Sequence, residues 1–182
     1  MKAFFTFPSS IFKKTRTHSA FTLIETFVAI TVLLVSLAGP LSLAAQALKS
    51  AYYARDEVTA FYLAQEGLEF ARVFRDQNFL TNQPGFTNFG YCTNVYCNID
   101  FVHASALQCP NPNDPNSCPK LLVDSNGLFN TQSGTPSIFT RTIIISAVPG
   151  TTDEIAVKVR VSWVSAGIPR SFQLSEHLFN WL

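Results

Sequence analysis

A long run of uncharged, mostly apolar residues lies near the start of the chain. Residues 26–48 directly follow Glu25 and carry no charged side chain, a run of 48 − 25 = 23 residues. A helix of that length covers about 35 Å, enough to cross a bilayer core of about 30 Å. The pattern predicts a transmembrane helix over residues 21–48. A carboxylate at the head of such a helix needs a partner, so Glu25 is a candidate functional residue.

The helical pattern continues past the apolar run. Residues three or four positions apart form one apolar, mostly small face and predict an amphipathic half of the helix over residues 49–78. Proline removes a backbone hydrogen bond and bends a helix, so Gly39-Pro40 predicts a bend in the apolar half. We expect the small side chains to let the helix approach a sheet closely. They are Ala47, Ala51, Ala54, Val58, Phe61, Ala64, Leu68 and Ala71.

A different period marks the C-terminal segment, residues 137–182. Apolar and polar residues alternate from Glu154 to Val164, which predicts a half-buried strand with every second side chain inward. Residues 138–148 and 170–178 read as neighbouring strands, joined by turns at Pro149-Gly150 and at residues 166–169. Three consecutive strands with short connections predict an antiparallel meander. The fold class is therefore α+β, a long bent N-terminal helix packed on a small antiparallel sheet.

Basic residues set the expected orientation of the apolar helix. Lys2, Lys13, Lys14 and Arg16 precede it, whereas only Lys49 and Arg55 follow it closely. The excess on the N-terminal side predicts that the N-terminus stays in the cytoplasm and that the chain beyond about residue 48 is exported.

Residues 79–136 are rich in proline and asparagine, which favours a loop-rich region. Its four cysteines indicate a disulfide framework, because an exported domain with an even number of cysteines commonly pairs them. Three connectivities are possible, and we predict the sequential one, Cys92–Cys97 with Cys109–Cys118, because it closes two short loops. A zinc site is the alternative, although it usually shows tight C-x2-C pairs that this spacing lacks.

The segment Ala20-Phe21-Thr22-Leu23-Ile24-Glu25, between a basic leader and a long apolar helix, resembles the start of type IV prepilins and type II secretion pseudopilins. The resemblance implies that a prepilin peptidase removes residues 1–20 by cutting between Ala20 and Phe21, and N-methylates Phe21. It implies that Glu25 pairs with the Phe21 amine of a neighbouring subunit. Pro40 then marks either a segment that unwinds in the filament or an ordinary kink. The family nearly always has Gly before the cut, so Ala20 implies slower processing.

The resemblance also implies a function and a location. The chain would be a structural subunit, a minor pilin or pseudopilin, of a type IV pilus or a type II secretion-like filament. Its partners would be the inner-membrane lipid bilayer, the prepilin peptidase, other pilin or pseudopilin subunits and an assembly platform. It would cross the cytoplasmic membrane once, with the part beyond about residue 48, here called the head, outside. It would then enter an extracytoplasmic filament.

Other interpretations of the N-terminus stay open. A Sec signal peptide would use residues 26–38 as its apolar core and Ala45-Gln46-Ala47 as its cleavage site. An unprocessed anchor would leave an exported binding module on the membrane that never enters a filament. An anchored enzyme is the third possibility, and the sequence offers no convergent acid, base or nucleophile for it.

Candidate chemistry elsewhere is sparse, so we expect neither an enzyme nor a cofactor or metal. The net charge of +1 gives no reason to expect nucleic-acid binding. His18, His103 and His177 stand in no spacing that suggests metal binding or catalysis. The oxygen-rich segments at residues 111–116 and 124–127 favour turns over a calcium site, because they lack the acidic ligands and the distal glutamate of such sites.

Overall fold

One α-helix, a short 3₁₀ helix at Pro115–Ser117 and two antiparallel sheets form the regular structure of the computed structural model, which describes residues 20–83, 85–86 and 92–180. The predicted leader, apart from Ala20, lies outside the described residues. The chain divides into two compact units, Met1–Ala45 and Gln46–Leu182. The elements are α1 Leu23–Leu80, β1 Cys97–Asp100, β2 Ser105–Gln108, β3 Leu122–Val123, β4 Phe129–Asn130, β5 Thr135–Pro136, β6 Thr140–Ala147, β7 Glu154–Ser165 and β8 Ile168–Phe179.

Both ends of α1 are capped by local hydrogen bonds. At the start, the Thr22 hydroxyl accepts the Glu25 N–H at 3.3 Å, which satisfies one of the free donors of the first turn. At the end, Asn82 adopts a φ of 54°, the left-handed conformation that stops helices. The Gln83 N–H then donates to the Asn78 carbonyl at 2.9 Å and the Asn82 N–H to the Phe79 carbonyl at 3.1 Å. The sequence pattern ended this helix two residues earlier, at Asn78.

The predicted meander is confirmed and lies within a wider sheet. Strand order is β2-β1-β6-β7-β8, with every neighbouring pair antiparallel. The alternation in β7 is as predicted, with its inward side chains Ile155, Val157, Val159, Val161 and Trp163 all buried. The turn predicted at residues 166–169 is shorter than expected, because β8 begins at Ile168. Pro169 fits there because β8 is an edge strand, where a missing N–H breaks no ladder bond.

The middle segment contains five short strands in addition to its loops. β1 and β2 form a hairpin that extends the main sheet, so this sheet has two strands more than the predicted three. β3, β4 and β5 form a second sheet in the order β4-β3-β5. These strands are two to four residues long, too short to produce a visible period in the sequence.

The helix packs on the main sheet through a face rotated from the predicted one. Val58 and Phe61 were expected inward but are 55% and 39% exposed, whereas Asp56, expected at the surface, is buried. The reason is the position of Gly67, where an added Cβ would stand 2.7 Å from a methyl group of Val159. The closest approach of helix and sheet centres on this glycine, and the residues around it form the contact. They are Ala60, Leu63, Ala64, Gly67, Leu68 and Ala71.

Candidate functional site

The predicted cleavage position lies just outside α1. Ala20, Phe21 and Thr22 are not helical, and the helix begins at Leu23. Ala20 is exposed, and Phe21 is 77% exposed. A peptidase needs an accessible, non-helical stretch of backbone, and the bond between Ala20 and Phe21 meets that requirement.

Glu25 lies in the first turn of α1, and two observations bear on its role. Its backbone N–H is held by Thr22, and its carboxylate adds a favourable negative charge at the positive end of the helix dipole. Its side chain is exposed, and no basic group of residues 20–83, 85–86 or 92–180 lies within ion-pair distance of it. The structure therefore leaves this carboxylate available to a group outside the described chain.

The apolar part of α1 exposes its side chains all round. Among the described residues, α1 is the one helix long and apolar enough to cross a membrane, and its 18-residue window has a mean hydropathy of 2.2 and no buried residue. These properties are compatible with single-pass anchoring. The helix continues through Pro40, which cannot donate the usual bond to the carbonyl of Ser36. Nothing lies within 4 Å of the position a Cβ would take at Gly39.

The four cysteines form two disulfides in the sequential pairing. Cys92 is joined to Cys97 at the start of β1, with Cα atoms 5.6 Å apart. Cys109, just after β2, is joined to Cys118, with Cα atoms 4.6 Å apart. All four are at most 5% exposed, so these bridges are part of the interior. They fix the segments on either side of the β1–β2 hairpin.

A buried arginine, which the sequence analysis did not identify, connects the helix to the sheet. Arg141 on β6 is fully buried and donates to the Ile99 carbonyl at 2.7 Å and to the Leu63 carbonyl at 3.2 Å. It also forms an ion pair with Glu66 at 3.0 Å. Burial lowers the pKa of its guanidinium, and the charges of Glu66 and Asp100 act in the opposite direction. Arg141 lies two residues before the buried Ile143 and therefore on the same face of β6. This strand alternation is the sequence feature from which its burial could have been predicted.

Asp100 at the end of β1 is the second charge in this interior cluster. Its oxygens accept the Thr131 N–H at 2.9 Å, the Thr131 hydroxyl at 3.0 Å and the His103 N–H at 3.0 Å. Burial raises the pKa of the Asp100 carboxyl, but the hydrogen bonds from Thr131 and His103 outweigh it and hold the pKa below the ordinary 3.8. The carboxylate closes the turn after β1 and attaches it to residue 131.

The histidines lie closer to acids than their spacing suggested. The His103 Nδ1 is 2.9 Å from Asp100, and His177 contacts Glu154 across the strands β7 and β8. His18 lies outside the described residues. In the part of the chain that the structure describes, no group of three His, Cys, Asp or Glu side chains is arranged to hold a metal.

The oxygen-rich segments form turns, as the sequence favoured. Asp114 accepts the Asn116 N–H at 2.9 Å, and Asp124 accepts the Asn126 and Leu128 N–H groups at 2.8 and 2.9 Å. The side-chain oxygens that could have bound calcium are thus engaged with their own backbone.

Comparison with protein families, with curated proteins and with solved structures finds no match to this chain. Any assignment of function therefore depends on the residues and the geometry described above.

Proposed function

We propose that this chain is a structural subunit of a type IV pilus or type II secretion-like filament, of the minor pilin or pseudopilin kind. One observation carries the proposal. A carboxylate, Glu25, stands in the first turn of an exposed apolar helix and is the fifth residue after an accessible bond between Ala20 and Phe21.

Cutting that bond would create the missing partner. The new N-terminus is an ammonium on Phe21, and a carboxylate in hydrocarbon needs such a cation because desolvating either ion alone costs several kcal/mol. Glu25 of one copy and the amine of the next neutralise each other and fix the axial register of two helices. The helix offers apolar side chains on every side, and their packing against neighbouring helices replaces the contacts with lipid when the subunit leaves the bilayer.

The same geometry argues against the signal-peptide interpretation. Ala45, Gln46 and Ala47 lie inside α1, where the backbone is hydrogen-bonded, whereas residues 20–22 are not helical. A cut near residue 47 would also divide the helix whose later turns pack on the sheet. Processing at Ala20 leaves α1 whole.

The experiment is to express the full chain with and without a prepilin peptidase and to determine its mass and N-terminal sequence. We expect a chain that begins at N-methylated Phe21 when the peptidase is present. A Glu25→Ala variant should be processed normally but recovered from sheared filaments at least about tenfold less, because the buried amine then has no partner.

Glu57→Ala is the matched control, since Glu57 is an exposed acid on the same helix outside the apolar run. It should be processed and assembled like the unchanged chain. A chain that still begins at Met1 in the presence of the peptidase, or equal filament recovery for Glu25→Ala and Glu57→Ala, would contradict the proposal.

A further inference from the structure

A pocket of about 320 Å³ opens on the face of the main sheet that points away from α1. This volume lies at the lower end of the range for small-molecule sites. Its floor is a row of hydroxyl side chains on three neighbouring strands. Thr140 on β6 stands opposite Ser162 on β7, and Ser162 stands opposite Ser171 on β8. Ser162 lies between the inward side chains Val161 and Trp163, which places the hydroxyl row on the outer face.

Two cations flank this row. Lys120 precedes Leu121, whose N–H donates to the Phe139 carbonyl at 2.9 Å, so Lys120 lies alongside Thr140. Arg160 lies two residues before Ser162 and therefore on the same face of β7. Neither has a carboxylate within ion-pair distance among the described residues.

The pocket lining contains no aspartate or glutamate, so the two charges remain uncompensated. A third cation, Arg170, borders the pocket, but its guanidinium lies 4.9 Å from the centre of the Tyr53 ring. Its charge is thus directed to the helix side of the sheet. The positive charge available to a ligand comes from Lys120 and Arg160.

The opposite wall of the pocket is apolar. Val164 and Pro169 are neighbours across β7 and β8, and Ile138 precedes β6 on the same side. Val164 is 57% exposed and Ile138 is 43% exposed, so their side chains are accessible to a ligand in the pocket. The pocket thus combines a hydroxyl floor, an apolar wall and two cations.

We infer that this pocket binds an anionic carbohydrate, a sugar ring that carries a phosphate or a carboxylate. Ring hydroxyls match Thr140, Ser162 and Ser171, which both donate and accept hydrogen bonds. The C–H face of a ring matches the apolar wall, and the acid matches Lys120 and Arg160 through charge-assisted hydrogen bonds. A neutral sugar leaves the cations without partners, and a bare anion leaves the apolar wall in water. The inference concerns the head alone and does not depend on filament assembly.

The test is titration calorimetry on the full chain, held in a detergent that contains neither sugar nor phosphate. Glucose 6-phosphate and glucuronate are the probes, and glucose and inorganic phosphate are the two partial ligands. We expect saturable binding of at least one charged sugar, with a Kd of about 1 mM or below, and at least about tenfold weaker binding of both partial ligands.

Arg160→Gln and Lys120→Gln should each weaken binding of the charged sugar about tenfold, since each removes a charge-assisted contact. Lys158→Gln is the matched control, because Lys158 lies on the same strand and face but outside the pocket lining. It should leave the Kd unchanged, and near-UV circular dichroism should show all three variants folded.

Three results would overturn the inference. The first is no saturable binding of either charged sugar at about ten times the expected Kd. The second is equal weakening by Lys158→Gln, which would show a diffuse charge effect. The third is inorganic phosphate, or a short single-stranded oligonucleotide, binding as tightly as the sugars, which would show that the pocket recognises the anion alone or a nucleic acid.

Discussion

Gly67 is the residue at which the structure makes its sharpest energetic prediction. It lies inside α1, where glycine is unfavourable by about 1 kcal/mol relative to alanine. Helix propensity alone therefore predicts that Gly67→Ala stabilises the protein. Packing predicts the opposite, because the new methyl group would stand 2.7 and 3.1 Å from the two methyl groups of Val159, against an ordinary contact of 3.4–4 Å.

The two effects can be compared in magnitude. Overpacking a closed core costs about 1–3 kcal/mol, and Val159 is fully buried in a strand with neighbours on both sides, so it has little freedom to move. With about 2 kcal/mol for overpacking and about 1 kcal/mol gained in propensity, Gly67→Ala should lower the free energy of unfolding by about 1 kcal/mol.

A double-mutant cycle separates packing from propensity. Val159→Ala alone should destabilise by about 2–3 kcal/mol, because it removes two buried methyl groups and leaves a cavity. In that background Gly67→Ala should become stabilising by about 1 kcal/mol or more, because the clashing atoms are gone and the new methyl fills the space. The sign of the Gly67→Ala effect therefore reverses, with a coupling of about 2 kcal/mol.

The assay is urea unfolding of the full chain in detergent, followed by near-UV circular dichroism. Trp163 provides the signal, since it is buried with its ring centre 6.0 Å from that of Phe139. Ala54→Gly, at an exposed position of the same helix, measures the propensity effect without packing and should cost about 1 kcal/mol. If Gly67→Ala stabilises the protein in both backgrounds, the close approach of helix and sheet at this position is wrong.

Three further predictions concern the interior of the head. Arg141→Ala should lower the free energy of unfolding by about 3 kcal/mol, because it removes the buried group that joins the Leu63 and Ile99 carbonyls and leaves Glu66 without its ion-pair partner. Glu66→Gln should lower it by only about 1 kcal/mol, because the side-chain oxygen of glutamine can still accept a hydrogen bond from Arg141. Equal effects of the two substitutions in urea unfolding would contradict this. Replacing both Cys92 and Cys97 by Ser should lower the free energy of unfolding by about 2 kcal/mol, because a bridge with a sequence separation of 5 removes that much loop-closure entropy from the unfolded chain. An unchanged unfolding midpoint would refute this prediction. The pKa of Asp100 is lowered in the folded protein, so its carboxylate stabilises the fold above pH 3.8 and this stabilisation is lost as the pH falls through the folded-state pKa. Asp100→Asn should therefore lower the free energy of unfolding at neutral pH. In acid titrations, the free energy of unfolding of this variant should fall less steeply below about pH 4 than that of the unchanged chain.

The sequence predicted the elements whose residues repeat with a regular period. Ile155 to Trp163 alternate over a whole strand, and the apolar run before residue 48 exceeds the length of ordinary core helices, so both could be identified without tertiary information. The hairpin of β1 and β2 could not. All four residues of β1 are buried, including Asn98 and Asp100, so no alternation exists to detect. These polar residues are held by distant partners, such as the Pro119 carbonyl that accepts from Asn98 at 3.2 Å.

Glu25 and Arg141 differ in how far the sequence alone reveals their roles. Glu25 stands out in the sequence because no other charged residue follows it before Lys49, and no described residue forms an ion pair with it. Arg141 is surrounded by ordinary strand residues, and only its parity with Ile143 indicates burial; the carbonyls that it binds come from elements 42 and 78 residues away. A charge satisfied within the fold therefore takes its meaning from tertiary contacts. Glu25 has no ion-pair partner among the described residues, and this contrast is why our proposal places an intermolecular contact at Glu25 and assigns Arg141 to stability.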